Sequence, residues 1–138
     1  MSRKQILGLI RSLSSNALEF LKDEEYQKKI WFRKEGPQSS SYLEVVEYFI
    51  SRCDMLFNNL NLKEFLGNDN YVMLKNLYDL IINHLDDAEN RFVDVDLMTE
   101  HQLLDDPKWQ DIQSLAEVIH VKLDKFLKEQ KEVLDDNG

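Results

Sequence analysis

Histidines with nearby carboxylates are the residues of this chain that could carry out chemistry. Glu117 and His120 have the Glu-x-x-His spacing, which places two metal ligands on one face of a helix in di-iron helical bundles. Such a site needs a second copy of the motif, and neither His84 nor His101 has a carboxylate three positions earlier. We therefore expect that the protein binds no metal ion and no cofactor.

The same histidines could also take part in acid–base catalysis. His84 lies close to Asp87 in the sequence, and Glu100 adjoins His101. A carboxylate beside a histidine can form an acid–base pair. No activated nucleophile, phosphate-binding loop or oxyanion site accompanies these pairs, so the pattern favours solvated helix ends and a protein that is not an enzyme. Cys53 lies on the apolar stripe of a predicted helix, which indicates a buried structural thiol.

The elements that position these residues are predicted to be helices. Apolar residues recur every three to four positions through most of the chain, which is the helical period. The 138 residues include only four Gly and two Pro, too few for the frequent turns of a sandwich or barrel. We predict an all-α, up-and-down bundle of four main helices with one or two short extra helical turns. A single helical domain is expected over residues 1–134, followed by a frayed acidic tail at 135–138.

Capping residues predict where the helices begin, and two local questions stay open. Residues 14–16 interrupt the helix propensity of the first segment, so that one kinked helix or two short helices would both fit. Trp31 and Phe32 are adjacent and cannot both point into one narrow stripe, so one of them is a candidate for exposure. The predicted caps are Ser41 for the second helix, Asp69 or Asn70 for the third, Thr99 for a short helix, and Asp106 followed by Pro107 for the last.

Charge and composition exclude several classes of function. The chain carries 17 basic and 26 acidic residues, a formal net charge of −9. A protein this acidic repels phosphate backbones, which argues against direct binding of nucleic acid. One cysteine excludes an internal disulfide framework. The apolar run near the amino terminus is too short for a secretory signal, and no run is long enough for a membrane span. We expect a cytoplasmic protein without a membrane partner.

The negative charge is concentrated in residues 86–106, which we call the acidic segment. Arg91 is its only basic residue. Aspartates also cap helices and solvate turns, which is the alternative explanation of the same residues. We predict that the segment binds a positively charged macromolecule, with Phe92 as an apolar contact beside the carboxylates. The predicted carboxylates are Asp86, Asp87, Glu89, Asp94, Asp96, Glu100, Asp105 and Asp106.

A small, acidic, helical protein with such a segment resembles the immunity proteins that neutralise bacterial nuclease toxins in bacteriocin and contact-dependent growth inhibition systems. Residues 97–109, with the sequence LMTEHQLLDDPKW, look like the acid-rich segments of those families. The resemblance implies a basic partner, a nuclease toxin, whose substrate groove is covered by the acidic helical surface. The alternative is a helical adaptor or regulatory module that binds another basic protein or peptide.

Overall fold

Every regular element in the described part of the chain is helical. The computed structural model describes residues 2–36 and 40–137, with side chains through Gln130. The predicted all-α fold is therefore confirmed. In chain order the elements are α1 (Arg3–Leu13), a π-helical segment (Ser14–Leu18), α2 (Glu19–Leu21), α3 (Glu24–Tyr26), a second π-helical segment (Gln27–Phe32), α4 (Tyr42–Phe57), α5 (Leu62–Leu66), α6 (Asn68–Arg91), a 3-10 turn (Val95–Leu97), α7 (Glu100–Leu104) and α8 (Pro107–Asn137).

The first helical region is continuous through residues 14–16. The chain passes from α1 into the π-helical segment and on into α2, and Leu13, Leu18 and Leu21 are fully buried along it. The helix ends after Leu21, and Asp23 caps the next turn by accepting a hydrogen bond from the backbone N–H of Tyr26 over 3.0 Å. Residues 14–16 therefore lie in a widened turn within one helix and do not separate two short helices.

The second open question concerns two adjacent aromatic residues. Trp31 is buried, and its indole N–H donates a hydrogen bond to Ser40 Oγ over 3.0 Å. Phe32 is half-buried and packs against the core. Neither side chain is fully exposed. The π-helical turn has more residues per turn than an α-helix, so the two adjacent side chains are separated by a smaller angle around the helix axis.

Most predicted helix starts are confirmed by their hydrogen bonds. Ser41, Thr99 and Asp106 each accept a backbone N–H hydrogen bond at the start of their helices. The cap predicted at residue 69 or 70 is wrong. α6 begins directly after Gly67, whose φ of 87° lies in the region that favours glycine, and no side chain caps this helix.

The core is formed mainly by the faces of the four longest helices. α6 packs along α8, α4 packs against α6, and α1 contacts both α4 and α8. The helical period also predicts which apolar residues face inward. Those of α6 and α8 are largely buried, but Leu60, which the same period places on the inner face of the second main helix, is 99% exposed. It lies beyond Phe57, where α4 ends and the helical phase is lost.

The longest helix, α8, continues to Asn137. The tail predicted to fray, residues 135–138, has a helical backbone through residue 137, and Gly138 lies outside the described residues. Side chains beyond Gln130 are not described. None of the helices in the described ranges carries a stretch both long and apolar enough to cross a bilayer.

Replacing Leu77 by alanine tests the helical phase of α6. Leu77 is fully buried, so we expect the free energy of unfolding to fall by about 2–5 kcal/mol, because the change removes buried apolar surface and leaves a cavity. Leu80→Ala on the same helix is the matched control, since Leu80 is 40% exposed and the same change should cost about 1 kcal/mol or less. Urea denaturation measures both, and equal losses would contradict the packing described here.

Candidate functional site

The start of α4, the end of α6 and the start of α8 meet at one end of the molecule. The Tyr42 hydroxyl on α4 is hydrogen bonded to Nδ1 of His84 on α6, with 2.7 Å between the two atoms. The centroid of the Tyr42 ring lies 5.4 Å from that of Trp109 on α8. The acidic segment connects α6 with α8 and therefore covers this end, which we call the Tyr42 end.

The opposite end of the molecule is formed by different elements. The ring of Phe57, at the end of α4, lies 5.8 Å from that of Tyr71 near the start of α6. Phe65 on α5 lies 5.5 Å from Phe126 on the distal half of α8. Residues at this Phe57 end are separated from the acidic segment by most of the length of α4 and α6, which makes them suitable control positions.

A short loop in the acidic segment is held in a defined conformation. Val95 and Met98 are buried and anchor residues 92–98, which we call the 92–98 loop. Asp94 accepts a hydrogen bond from the backbone N–H of Asp96 over 2.9 Å and so caps the 3-10 turn. Oδ1 of Asp96 lies 3.4 Å from the backbone nitrogen of Leu43, which ties the loop to α4. The loop is therefore packed onto the body.

Two apolar side chains of this loop lie fully in solvent. Val93 is completely exposed and Leu97 is 75% exposed, and they flank Asp94 and Asp96 in the sequence. Phe92, the apolar contact predicted from the sequence, is half-buried and packs against the core. The apolar groups available to a partner here are thus Val93 and Leu97, which the sequence analysis did not single out.

Two of the predicted carboxylates are paired with arginines of the same chain. Asp87 Oδ2 lies 3.3 Å from Nη1 of Arg91, one helical turn further along α6. Glu100 Oε1 lies 3.5 Å from Nη2 of Arg33. Their negative charge is partly neutralised within the molecule, so they contribute less to the acidic surface than the sequence alone suggests.

The other six carboxylates are not paired with a lysine or an arginine of the described part of the chain. Among the side chains that the structure describes, no lysine or arginine nitrogen lies within 4.0 Å of Asp86, Glu89, Asp94, Asp96, Asp105 or Asp106. Asp105 lies 3.1 Å from Nδ1 of His101, whose side chain is 86% exposed. Asp87, Asp105 and Asp106 are brought together around an open cleft of about 390 Å³, which Arg91 and Lys108 also line.

His84 lies beneath these carboxylates and is buried. It is only 6% exposed, so the sequence-based interpretation of His84 as part of a solvated helix end is wrong. Its Nε2 lies 3.5 Å from Asp106 Oδ2, and its Nδ1 faces the Tyr42 hydroxyl. Burial lowers the pKa of His84, against the opposing effect of Asp106 and Asp87, so the imidazole is neutral at pH 7.

The neutral imidazole has one donor and one acceptor, and its surroundings decide which nitrogen is which. A carboxylate only accepts, so Nε2 carries the proton and points it toward Asp106. Nδ1 then accepts from the Tyr42 hydroxyl. Burial, followed by the negative charges of Glu89 and Asp106, raises the pKa of Tyr42 above its ordinary range, so the hydroxyl keeps the proton it donates.

His120 of the Glu-x-x-His motif lies beside two carboxylates, those of Glu19 and Asp124. His120 Nε2 lies 3.0 Å from Glu19 Oε2, and Ser14 Oγ donates to Asp124 Oδ1 over 2.8 Å. The serine hydroxyl thus bonds to a carboxylate and not to the imidazole that would activate it. Burial raises the pKa of the Cys53 thiol well above its usual value, as expected for a structural cysteine. Within the described residues, no group of three or more His, Cys, Asp and Glu side chains could hold a metal ion.

Comparison of the chain with protein-family models, with curated proteins and with solved structures finds no match. The function is therefore argued from the Tyr42 end itself. Its distinguishing features are a fixed loop with two exposed apolar side chains, several carboxylates with no lysine or arginine nitrogen within 4.0 Å among the described side chains, and a buried histidine beneath them.

Proposed function

We propose that the chain is an immunity-type binding protein that neutralises a basic nuclease toxin by covering the toxin's substrate groove with the Tyr42 end. The observation that carries the proposal is the exposure of Val93 and Leu97 on a fixed loop beside the carboxylates of Asp94 and Asp96. Apolar groups surrounded by polar ones are the usual composition of a protein–protein interface.

The two kinds of side chain contribute to binding in different ways. Carboxylates without a cation of their own attract a positively charged partner and accelerate its association. Exposed apolar side chains that become buried against the partner slow its dissociation, because a few central anchors supply most of the binding energy. A nuclease presents Lys and Arg where the phosphates of its substrate lie, so the carboxylates occupy the phosphate positions and exclude the substrate.

A rigid support is part of the same proposal. We infer that the four main helices form an up-and-down bundle, in which α6 and α8 pack along each other and α4 packs against α6. The acidic segment is then presented from the ends of two helices that pack along each other. A preorganised surface of this kind loses less conformational entropy when it binds.

Co-expression with the neighbouring genes tests the function directly. An immunity gene lies beside its toxin gene, so we expect an adjacent gene to encode a basic nuclease that is toxic alone and harmless with this chain. The purified chain should inhibit that nuclease at equimolar concentration. A basic partner without nuclease activity would support the adaptor alternative, and unprotected growth together with unimpaired nuclease activity would contradict the proposal.

Charge reversal on the loop should slow association with the partner. We expect Asp94→Lys with Asp96→Lys to reduce the association rate constant about 10- to 100-fold at low ionic strength and to weaken its salt dependence. The matched control is Glu64→Lys with Glu129→Lys, which makes the same change in charge at the exposed Phe57 end. Surface plasmon resonance at several salt concentrations measures both. Equal rate constants for the two double variants would remove the loop from the interface.

A further inference from the structure

His84 lies where the acidic surface meets the core, and titratable groups from each adjoining element face it. Tyr42 faces it from α4, Asp87 from α6 itself, and Asp106 and Lys108 from the start of α8. The ring of Trp109 lies 5.0 Å from the imidazole, measured between centroids. His84 and Lys108 also line a cleft of about 220 Å³ with Asp111, which gives water a route to the imidazole.

We propose that His84 is an acid-sensitive switch beneath the partner-binding surface, and that its protonation weakens binding of the basic partner. The inference rests on the proposed function, because it names a regulation of the same site. The geometric basis is the placement of one buried imidazole between a hydroxyl on α4 and a carboxylate of the acidic segment, 2.7 and 3.5 Å away.

Protonation changes both hydrogen bonds of the imidazole. The proton adds to Nδ1, which then can no longer accept from the Tyr42 hydroxyl, and that hydroxyl must rotate so that its oxygen accepts instead. The hydroxyl hydrogen of Tyr42 then loses its partner in a buried site, which is unfavourable. At Nε2 the new positive charge faces Asp106 and lowers the negative charge that the Tyr42 end presents to a cationic partner.

The direction of the pH dependence follows from burial. Because burial lowers the pKa of His84, the unfolded chain takes up this proton at a higher pH than the folded protein. The contribution of His84 to stability is therefore complete above the ordinary histidine pKa of about 6.5 and is lost as the pH falls below that value. The switch consequently operates on the acidic side of neutrality.

The experiment uses two variants that differ only at His84. His101 is an exposed second histidine beside Asp105 on the same surface, so His101→Gln serves as the reference chain. The test chain carries His101→Gln with His84→Gln, whose amide can accept from Tyr42 and donate to Asp106. The probe is a deca-lysine peptide, and its binding is measured by isothermal titration calorimetry from pH 7.5 to pH 5.0. The titration of His84 is followed in parallel by NMR of the imidazole nitrogens.

We expect His84 to titrate below the ordinary histidine pKa of about 6.5, because burial lowers its pKa. We also expect the reference chain to lose about threefold in affinity for the peptide over the whole pH range, and the test chain to lose clearly less. Tyr42→Phe should change the pH at which His84 titrates, because both protonation states of the imidazole lose the hydroxyl that faces Nδ1. If His84→Gln destabilises the fold, Tyr42→Phe still tests the switch, because it leaves His84 in place.

Three results would overturn the switch: His84 that stays neutral down to pH 5.0, equal losses of affinity in the reference and test chains, or an unchanged titration in Tyr42→Phe. All three measurements use the isolated chain. A failed switch therefore leaves toxin inhibition standing, and a failed search for a toxin leaves these results unchanged.

Discussion

Gln27→Leu is expected to lower the free energy of unfolding by about 3–5 kcal/mol, although the substitution introduces an apolar residue into the core. Gln27 is fully buried, and all four of its hydrogen bonds are internal. Its Nε2 donates to the backbone carbonyls of Phe20 and Leu21, each over 2.9 Å. Its Oε1 accepts from Trp109 Nε1 over 3.0 Å and from Gln113 Nε2 over 2.8 Å.

The large effect follows from what the leucine would leave behind. The indole N–H of Trp109 and the backbone carbonyl of Leu21 would stay buried without this partner, and each such group costs about 1–3 kcal/mol. Gln113→Leu is the matched control, because it removes only one of the four hydrogen bonds and should cost about 1 kcal/mol. Urea denaturation followed by tryptophan fluorescence measures both variants. A loss for Gln27→Leu no larger than that for Gln113→Leu would show that the network is not a major source of stability.

The helical fold could be predicted because capping residues and the apolar period are local features of the sequence, and the structure buries the residues that this period places inward. Ser41, Thr99 and Asp106 act on backbone groups within three residues, so the sequence alone specifies the hydrogen bonds that begin their helices. The apolar stripe of α8 likewise depends only on a constant period. The predicted cap of α6 is wrong because the φ of Gly67, and not a side chain, sets the start of that helix. Several polar residues follow Gly67, so the sequence did not identify the first residue of the helix.

The buried polar residues could not be predicted in the same way. Gln27 and His84 are polar, and their burial is possible only because partners arrive from distant parts of the chain, such as Trp109 and Tyr42. His84 did carry one usable signal. It lies three residues after Ile81 and four before Ala88, both buried, so the helical period placed it on the buried face even though its sequence neighbours are acidic.

The acidic segment was identified from composition, but composition does not separate its carboxylates by role. Asp94 and Asp106 cap helical turns, and Asp87 and Glu100 pair with arginines, so these four also serve the fold. The alternative explanation of the segment, that its acids cap and solvate turns, is thus correct for part of it. Asp86 and Glu89 are exposed on α6 and have no such structural role in the described part of the molecule. The 92–98 loop is the part of the acidic segment best suited to binding a partner, because carboxylates and exposed apolar groups occur together there.

The apolar side chains of that loop provide the most decisive test of the interface. Alternating polarity in residues 93–97 does not reveal which apolar residues point inward, and the structure buries Val95 while exposing Val93 and Leu97. We expect Val93→Ser with Leu97→Ser to increase the dissociation rate constant of the complex with the proposed partner about 100- to 1,000-fold, because two anchors of about 2 kcal/mol each would be lost. The association rate constant should change little, in contrast to the charge-reversed variant.

The free energy of unfolding distinguishes a loss of contacts at the interface from a loss of folded structure. Both side chains are in solvent, so the double variant should keep its free energy of unfolding within about 0.5 kcal/mol of the original value. Leu60→Ser is the matched control, since Leu60 is 99% exposed but lies at the Phe57 end. It should leave the dissociation rate constant of the complex with the proposed partner unchanged. Equal dissociation rate constants for Val93→Ser with Leu97→Ser and for Leu60→Ser, measured by surface plasmon resonance, would show that the partner does not cover the 92–98 loop.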